Sequence, residues 1–223
     1  MSVNNNIINF LINLDITESF ITILNKAIDR VKSADLTIHP YGFFIVKPLV
    51  NSKRQIRLHI WLPGNRRRQK PDWPTHNHNF DLHSVIIKGE LTHHIWEVTS
   101  NIDSPLALHK VSYIDSISKL TRIPGTVACK EINSDAYTSG NSYFLGKHTY
   151  HSVDVLNYSA TITLCVMTSP DDAPQYVVGE TAGKGEYTFL RNNVFSEDQN
   201  LIMEELNKLS YLPTSSRLKL DNK

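Results

Sequence analysis

From residue 41 to residue 168 the chain is written in short β-branched and aromatic runs broken by turn residues, and this rhythm narrows its possible architectures more than any other feature. "GFFIVKPLV" and "QIRLHIWLP" flank "NSKR", which reads as a hairpin connection. "SVIIKGELTHHIWEV", "LALHKVSYI", "NSYFLG", "HSVDVL" and "ATITLCVM" follow at short intervals. Strands repeated this closely predict a sandwich or a barrel. Side chains alternate across a strand, so Arg57, His59 and Trp61 share one face of the second run while Leu58, Ile60 and Leu62 share the other.

Helical periodicity frames this region. Phe20, Ile21, Leu24, Ala27, Ile28 and Val31 recur at helical intervals behind a capping-box pair, Asp15 and Glu18. The stripe predicts an amphipathic helix packed on the body of the protein. Near the other end, Ser196 and Gln199 have capping-box spacing, and Leu201, Ile202, Leu206 and Leu209 fall on one side of a closing helix. The polar tail after Pro213 is expected to fray. The expected organisation is one domain: an N-terminal helical extension over 1–40, a barrel over 41–168 and a C-terminal extension with a helix over 169–223.

Composition excludes several functions. The formal net charge is +1, which gives no global field for nucleic acid or an anionic membrane. The basic loop run at Arg66, Arg67 and Arg68 is short and lacks interleaved aromatics; it reads as solvated surface, or as a lure for an anionic substrate. No window approaches the ~18 uninterrupted apolar residues of a membrane span. "MSVNNNIINFLINLD" has neither a leading basic residue nor a small-residue cleavage site, against a secretory signal. Cys129 and Cys165 could form one disulfide, but neither lies in a Cys-x-x-Cys spacing, and a reducing cytoplasm is the expectation. Phosphate loops, nucleophile elbows and dinucleotide fingerprints are absent.

Histidines carry the chemistry. "PDWPTHNHNFDLHSVIIKGEL", residues 71 to 91, holds His76, His78 and His83, and eight of the ten histidines fall between residues 76 and 151. On a strand, His76 and His78 aim two imidazoles at one point. Downstream lies "GNSYFLGKHTYHSVD", residues 140 to 154. Together the two stretches resemble the paired motifs of the cupin superfamily: His-x-His, three or four residues, Glu, six residues, Gly; then Gly, five residues, Pro-x-Gly, two residues, His. Here His76 and His78 lead to Gly89, and Gly140 leads through Gly146 and His148 to His151. The resemblance implies an all-β double-stranded β-helix, a jelly-roll barrel, with metal held by His76, His78 and His151.

Two departures matter. Leu82 stands where the family's metal-binding Glu usually lies, and Gly146 and His148 replace the Pro and Gly of the second motif. Three neutral imidazoles then leave the full charge of a divalent ion and up to three open positions. This is similar to the three-histidine nonhaem iron branch, which includes the thiol dioxygenases. Asp81, one residue off, would restore a two-histidine, one-carboxylate set if the strand bulged there. Strand parity turns His83 outward and Ser84 inward, which makes Ser84 a candidate substrate contact. Of His93 and His94, only one can face inward. His148 is a candidate acid, base or substrate contact at the pocket mouth. The same resemblance gives Arg57 the role of holding a substrate carboxylate. Tyr143 and Tyr150 are only neighbours of the second motif.

The expected function is an Fe(II)-dependent oxygenase or dioxygenase acting with dioxygen on a small polar metabolite, amino-acid-like or thiol-like. The alternatives are a Zn-, Mn- or Ni-dependent isomerase or lyase, and a non-enzymatic barrel that binds a small molecule. Neither nucleic acid nor membrane is an expected partner. The resemblance also implies a possible homodimer through an edge strand.

Overall fold

The computed structural model describes residues 2–51, 54–64 and 67–210. Helices α1 (Val3–Asn13) and α2 (Phe20–Lys32) come first. The strands are β1 (Leu36–Ile38), β2 (Phe44–Val50), β3 (Gln55–Trp61), β4 (Asp81–Lys88), β5 (Glu90–Ser100), β6 (Leu106–Ile114), β7 (Ile117–Arg122), β8 (Val127–Thr138), β9 (Ser142–Leu145), β10 (Tyr150–Val155), β11 (Thr161–Thr168), β12 (Tyr176–Glu180) and β13 (Glu186–Leu190). Helix α3 (Ser196–Ser210) closes the described chain.

The pairing is nested. β5 pairs with β8, β4 with β9, the segment at His76 with β10, and β3 with β11, all antiparallel. The chain is thus a doubled ribbon that winds into two facing layers. One runs β3-β11-β4-β9, extended by β2 and β1; the other runs His76 segment-β10-β5-β8. That strand order is a jelly roll, the expected all-β architecture with helices at both ends. Gly89 makes the tight passage from β4 to β5 at φ 78°, where an added Cβ would lie 2.7 Å from the Ala160 carbonyl oxygen.

A hairpin, β6–β7, interrupts the ribbon between β5 and β8. It recruits β12 and β13 on its two sides to make the sheet β12-β6-β7-β13. The runs β1, β7, β8, β12 and β13 are absent from the sequence expectation, β1 lying inside the stretch expected to be helical extension. β8, "VACKEINSDAYT", is largely exposed and carries no apolar alternation; its conformation comes from the long register with β5.

The main core lies outside the barrel. Leu58 and Ile60 of β3, Val85 and Ile87 of β4, and Ile162, Leu164 and Val166 of β11 meet Ile7, Ile23, Leu24, Val31, Ile202 and Leu206 of the three helices. Each fully buried aliphatic side chain there contributes ~1.5–3 kcal/mol. The opposite faces of the same strands are left to line the barrel interior. Hence β11 reads as an unbroken buried run, "TITLCVM".

Helix ends differ from the sequence expectation. Asp15 does not cap α2: it takes φ 51° in the turn after α1, and Ser19 is the cap, its Oγ accepting from the Thr22 amide at 3.1 Å. At α3 the reciprocal contact is Asp198 Oδ2 accepting from the Phe195 amide at 3.1 Å, rather than the Ser196–Gln199 pair. Leu201 is exposed while Ile202, Leu206 and Leu209 are buried. Both cysteines are free, so the possible disulfide does not form. Ser52 and Lys53 of the predicted hairpin, Arg66 of the basic run and the tail after Pro213 lie outside the described residues. Among the described residues no helix is long and apolar enough to cross a membrane.

Candidate metal centre

The His-x-His stretch is held from both sides. His76 N donates to the His151 carbonyl oxygen at 3.0 Å and His151 N returns a bond to the His76 carbonyl oxygen at 2.8 Å, so these residues face each other across the jelly roll. On the other side, Asn77 N donates to the Tyr176 carbonyl oxygen at 3.0 Å and Asn77 Oδ1 accepts from Tyr176 N at 2.7 Å. His148 N donates to the His78 carbonyl oxygen at 2.7 Å. Extended alternation then buries Thr75 and Asn77 and turns His76 and His78 to the cavity.

Three imidazoles converge there. One ligand atom from each of His76, His78 and His151 lies within 4.8 Å of the others, and this group could hold a metal ion. Nε2 of His151 is 3.0 Å from Nε2 of His78. Two nitrogens bound at ~2.1 Å and at right angles to one ion would be about 3.0 Å apart. Two of the three far nitrogens already have partners: His76 Nδ1 lies 2.8 Å from the Pro74 carbonyl oxygen, and His151 Nδ1 lies 2.9 Å from His93 Nε2. Each contact orients a ring and leaves its Nε2 lone pair for a metal. Burial, the largest cause, pushes His76 down to about 4 and holds His78 and His151 well below the ordinary range. The rings are therefore neutral near pH 7, the form that ligates metal. The donor set fits a divalent ion.

Leu82, at the family's carboxylate position, lines the cavity and supplies no oxygen. Asp81 does not replace it: it is neither in the converging group nor in the cavity lining, and its Oδ1 accepts from Lys147 N at 3.0 Å. His83 packs on Phe144 at 4.8 Å outside the cavity, as strand parity requires. His93 is the inward member of its pair; His94 lies outside, 3.2 Å from Glu131 and 3.3 Å from Asp154.

Arg57 lines the cavity, its guanidinium 6.0 Å from the centre of the Phe80 ring and its Nε donating to Gln55 Oε1. Burial lowers it to about 10, so it keeps its charge at neutral pH. Among the described residues it has no carboxylate partner. Ser84 does not line the cavity. It is fully buried behind the wall, where it accepts from the Cys165 thiol at 3.6 Å and hydrogen-bonds the Tyr143 hydroxyl. Ser84 therefore meets the cavity lining only through Tyr143, which does not match the expected direct substrate contact. His148 also lies outside the cavity lining. It takes φ 66°, the conformation that favours the motif's glycine, and its Nε2 is 2.9 Å from Asp171 Oδ2. The basic loop is tied down: Arg67 pairs with Asp198 at 2.8 Å over the Phe195 ring, and Arg68 pairs with Asp72 at 3.0 Å at the cavity edge.

Several cavity residues escaped the sequence reading. His39, Tyr41 and Phe43 precede the barrel proper, and Tyr143 faces Ser84 across the β4–β9 register. Tyr143 stacks on His93 at 4.4 Å and so backs the ring that holds His151. Only the register could have revealed it. The space they enclose is small, about 70 Å³.

No family model matches this chain, and no curated protein matches it. Solved structures do resemble it. A cupin superfamily protein from Desulfitobacterium hafniense is 9% identical, covering 56% of this chain and 76% of its own, with TM-score 0.32. An RmlC-like cupin family protein with a double-stranded β-helix fold from Methanocaldococcus jannaschii is 16% identical over 58% and 82% of the two chains, with TM-score 0.33. Hydroquinone 1,2-dioxygenase from Sphingomonas sp. TTNP3 is 12% identical over 60% and 68%, with TM-score 0.34. The nested pairing β5·β8, β4·β9, His76·β10 and β3·β11 gives the architecture on its own terms: the fold is an all-β jelly roll with two N-terminal helices and a C-terminal helix.

Proposed function

We propose that this chain is an Fe(II)-dependent oxygenase that uses dioxygen to oxidise a small anionic metabolite inside the barrel. The observation that carries the reading is the neutral triad His76, His78 and His151 opening onto a cavity that also holds the charged, carboxylate-free Arg57. Bound Fe(II) would supply the open coordination positions and the electrons for dioxygen chemistry. The remaining work falls to the chain. Its ligands bring no negative charge, so an anionic substrate is favoured beside the divalent ion. Arg57 orients that substrate through its carboxylate. Leu82, Phe80 and Met167 keep the reacting region dry, and His93 and Tyr143 hold His151 in place.

The test is metal analysis of protein purified without chelator, anaerobic Fe(II) reconstitution, and nitric oxide EPR. One iron per chain with a high-spin iron–nitrosyl signal is expected, followed by substrate-dependent oxygen consumption. Tightly held zinc, manganese or nickel with no nitrosyl signal would overturn the oxygenase reading in favour of an isomerase or lyase. Absence of any bound metal would leave a small-molecule-binding barrel.

A further inference from the structure

Helix α1 carries apolar side chains on two sides. Ile7, Phe10 and Leu11 are buried against the body of the protein, while Ile8 and Ile12, one turn apart, are 47% and 62% exposed. Ile21, at the start of α2, is 38% exposed beside them. A helix that is apolar on more than one side is normally covered on more than one side. The three isoleucines line a recess of about 420 Å³ together with Leu11, Ile16, Phe20 and Leu209. This recess shares no residue with the cavity at the histidines.

We propose that this face binds a second copy of the chain, the α1–α2 faces packing about a two-fold axis with Ile8 and Ile12 of each protomer in the recess of the other. A two-fold interface is one patch used twice, so it must offer both the projections and the hollow that receives them. This patch has both. The axis also brings like residues together, so charge on the patch would repel its own copy. "VNNNIINFLIN" has no charged residue, and Glu18 is the one charged residue among the described residues that line the recess. The same lack of Lys and Arg argues against an anionic lipid surface as the occupant. The strand edges are poorer places for a dimer. β1 and β9, which border the larger sheet, are three and four residues long, and the outer strand β8 carries Lys130, Glu131 and Asp135. The dimer is therefore assigned to the helices and not to an edge strand, and it is independent of the metal.

The test is sedimentation equilibrium of the full chain as purified, at concentrations up to about 100 µM. A reversible dimer is expected. Ile12→Lys places a charge in the interface twice, once per protomer. One central interface residue is worth about 30-fold, so the symmetric pair should weaken association by about 1,000-fold and leave monomer. Ile8→Lys should do the same. Both side chains face solvent in the single chain, so both variants should keep the parent circular dichroism spectrum. Ile132→Lys, at an exposed position on β8, should leave the dimer unchanged. A full chain that stays monomeric overturns the proposal whatever the variants do. So does a dimer that survives in Ile12→Lys and Ile8→Lys, or one that Ile132→Lys dissociates instead. Dimerisation only after removal of residues 211–223 would overturn it too, by making that segment the occupant of the recess.

Discussion

Replacing His93 by Phe isolates the contact that holds His151. The substitution keeps a ring to stack on Tyr143, now at 4.4 Å, and removes the nitrogen that lies 2.9 Å from His151 Nδ1. His151 is 4% exposed, so no water takes over that bond and an N–H is left unpaired. An unpaired buried donor costs ~1–3 kcal/mol, or about 5- to 150-fold in an equilibrium constant. Loss of a partner behind a metal-bound histidine typically weakens the metal about 10- to 100-fold. The two routes agree on a drop of one to two decades. The assay is competition against a chromophoric chelator for Fe(II) or Zn(II), anaerobically and at fixed pH. His94→Phe is the control, because that side chain points outward to Glu131 and Asp154; its affinity should change less than about twofold. An unchanged affinity in His93→Phe would refute the positioning role. Total loss of metal would refute it too, by making His93 a ligand.

The other consequences are simpler to state. Alanine at His76, His78 or His151 should each abolish metal retention, whereas His83→Ala should retain it, since His83 lies outside the cavity; stoichiometric metal in His151→Ala would sink the assignment. Burial holds His59 down to about 3 and His76 and His93 to about 4, below the ordinary 6.5. The unfolded chain therefore takes up protons that the fold refuses. Stability of the metal-free protein should be complete above pH 6.5 and fall as the pH drops from there towards 4, by at most ~1.4 kcal/mol per pH unit for each histidine and less for the cavity-facing His76. Denaturant unfolding at pH 7.5 and 5.5 measures this, and equal stabilities would contradict it. Gly89→Ala places a Cβ 2.7 Å from the Ala160 carbonyl oxygen at φ 78°, so it should lower the melting temperature by several degrees; a wild-type melting curve would refute the tight β4–β5 passage.

How far the sequence carries the structure depends on the range of the constraint. The candidate ligands His76 and His78 are two residues apart, so strand alternation alone aims both rings, and the same parity sends His83 away from the cavity, as the structure has it. The two faces of β3 were legible for that reason: Leu58 and Ile60 reach the helices while Arg57, His59 and Trp61 reach the cavity. β8 was not legible, because its conformation is imposed by β5 and its side chains carry no apolar alternation. Nor was Tyr143, which enters the site only through the pairing of Tyr143 with Ser84. His148 shows the reverse case. Its place in the motif marks a backbone conformation, the left-handed turn at φ 66°, and the side chain itself is spent on Asp171.

The same distinction separates the candidate metal ligands from the aromatic side of the cavity. A metal needs a few donors at fixed separations, and neighbouring positions on one strand supply them. A binding wall needs surfaces from several strands to meet, so its members are scattered along the chain as ordinary aromatics. His39, Phe43, His59 and Trp61 become one surface only when β2 pairs with β3 in the observed register. That register also leaves His59 Nε2 without a partner. In this chain, then, the candidate metal ligands follow from local spacing, and the rest of the cavity lining follows from the register of the sheet.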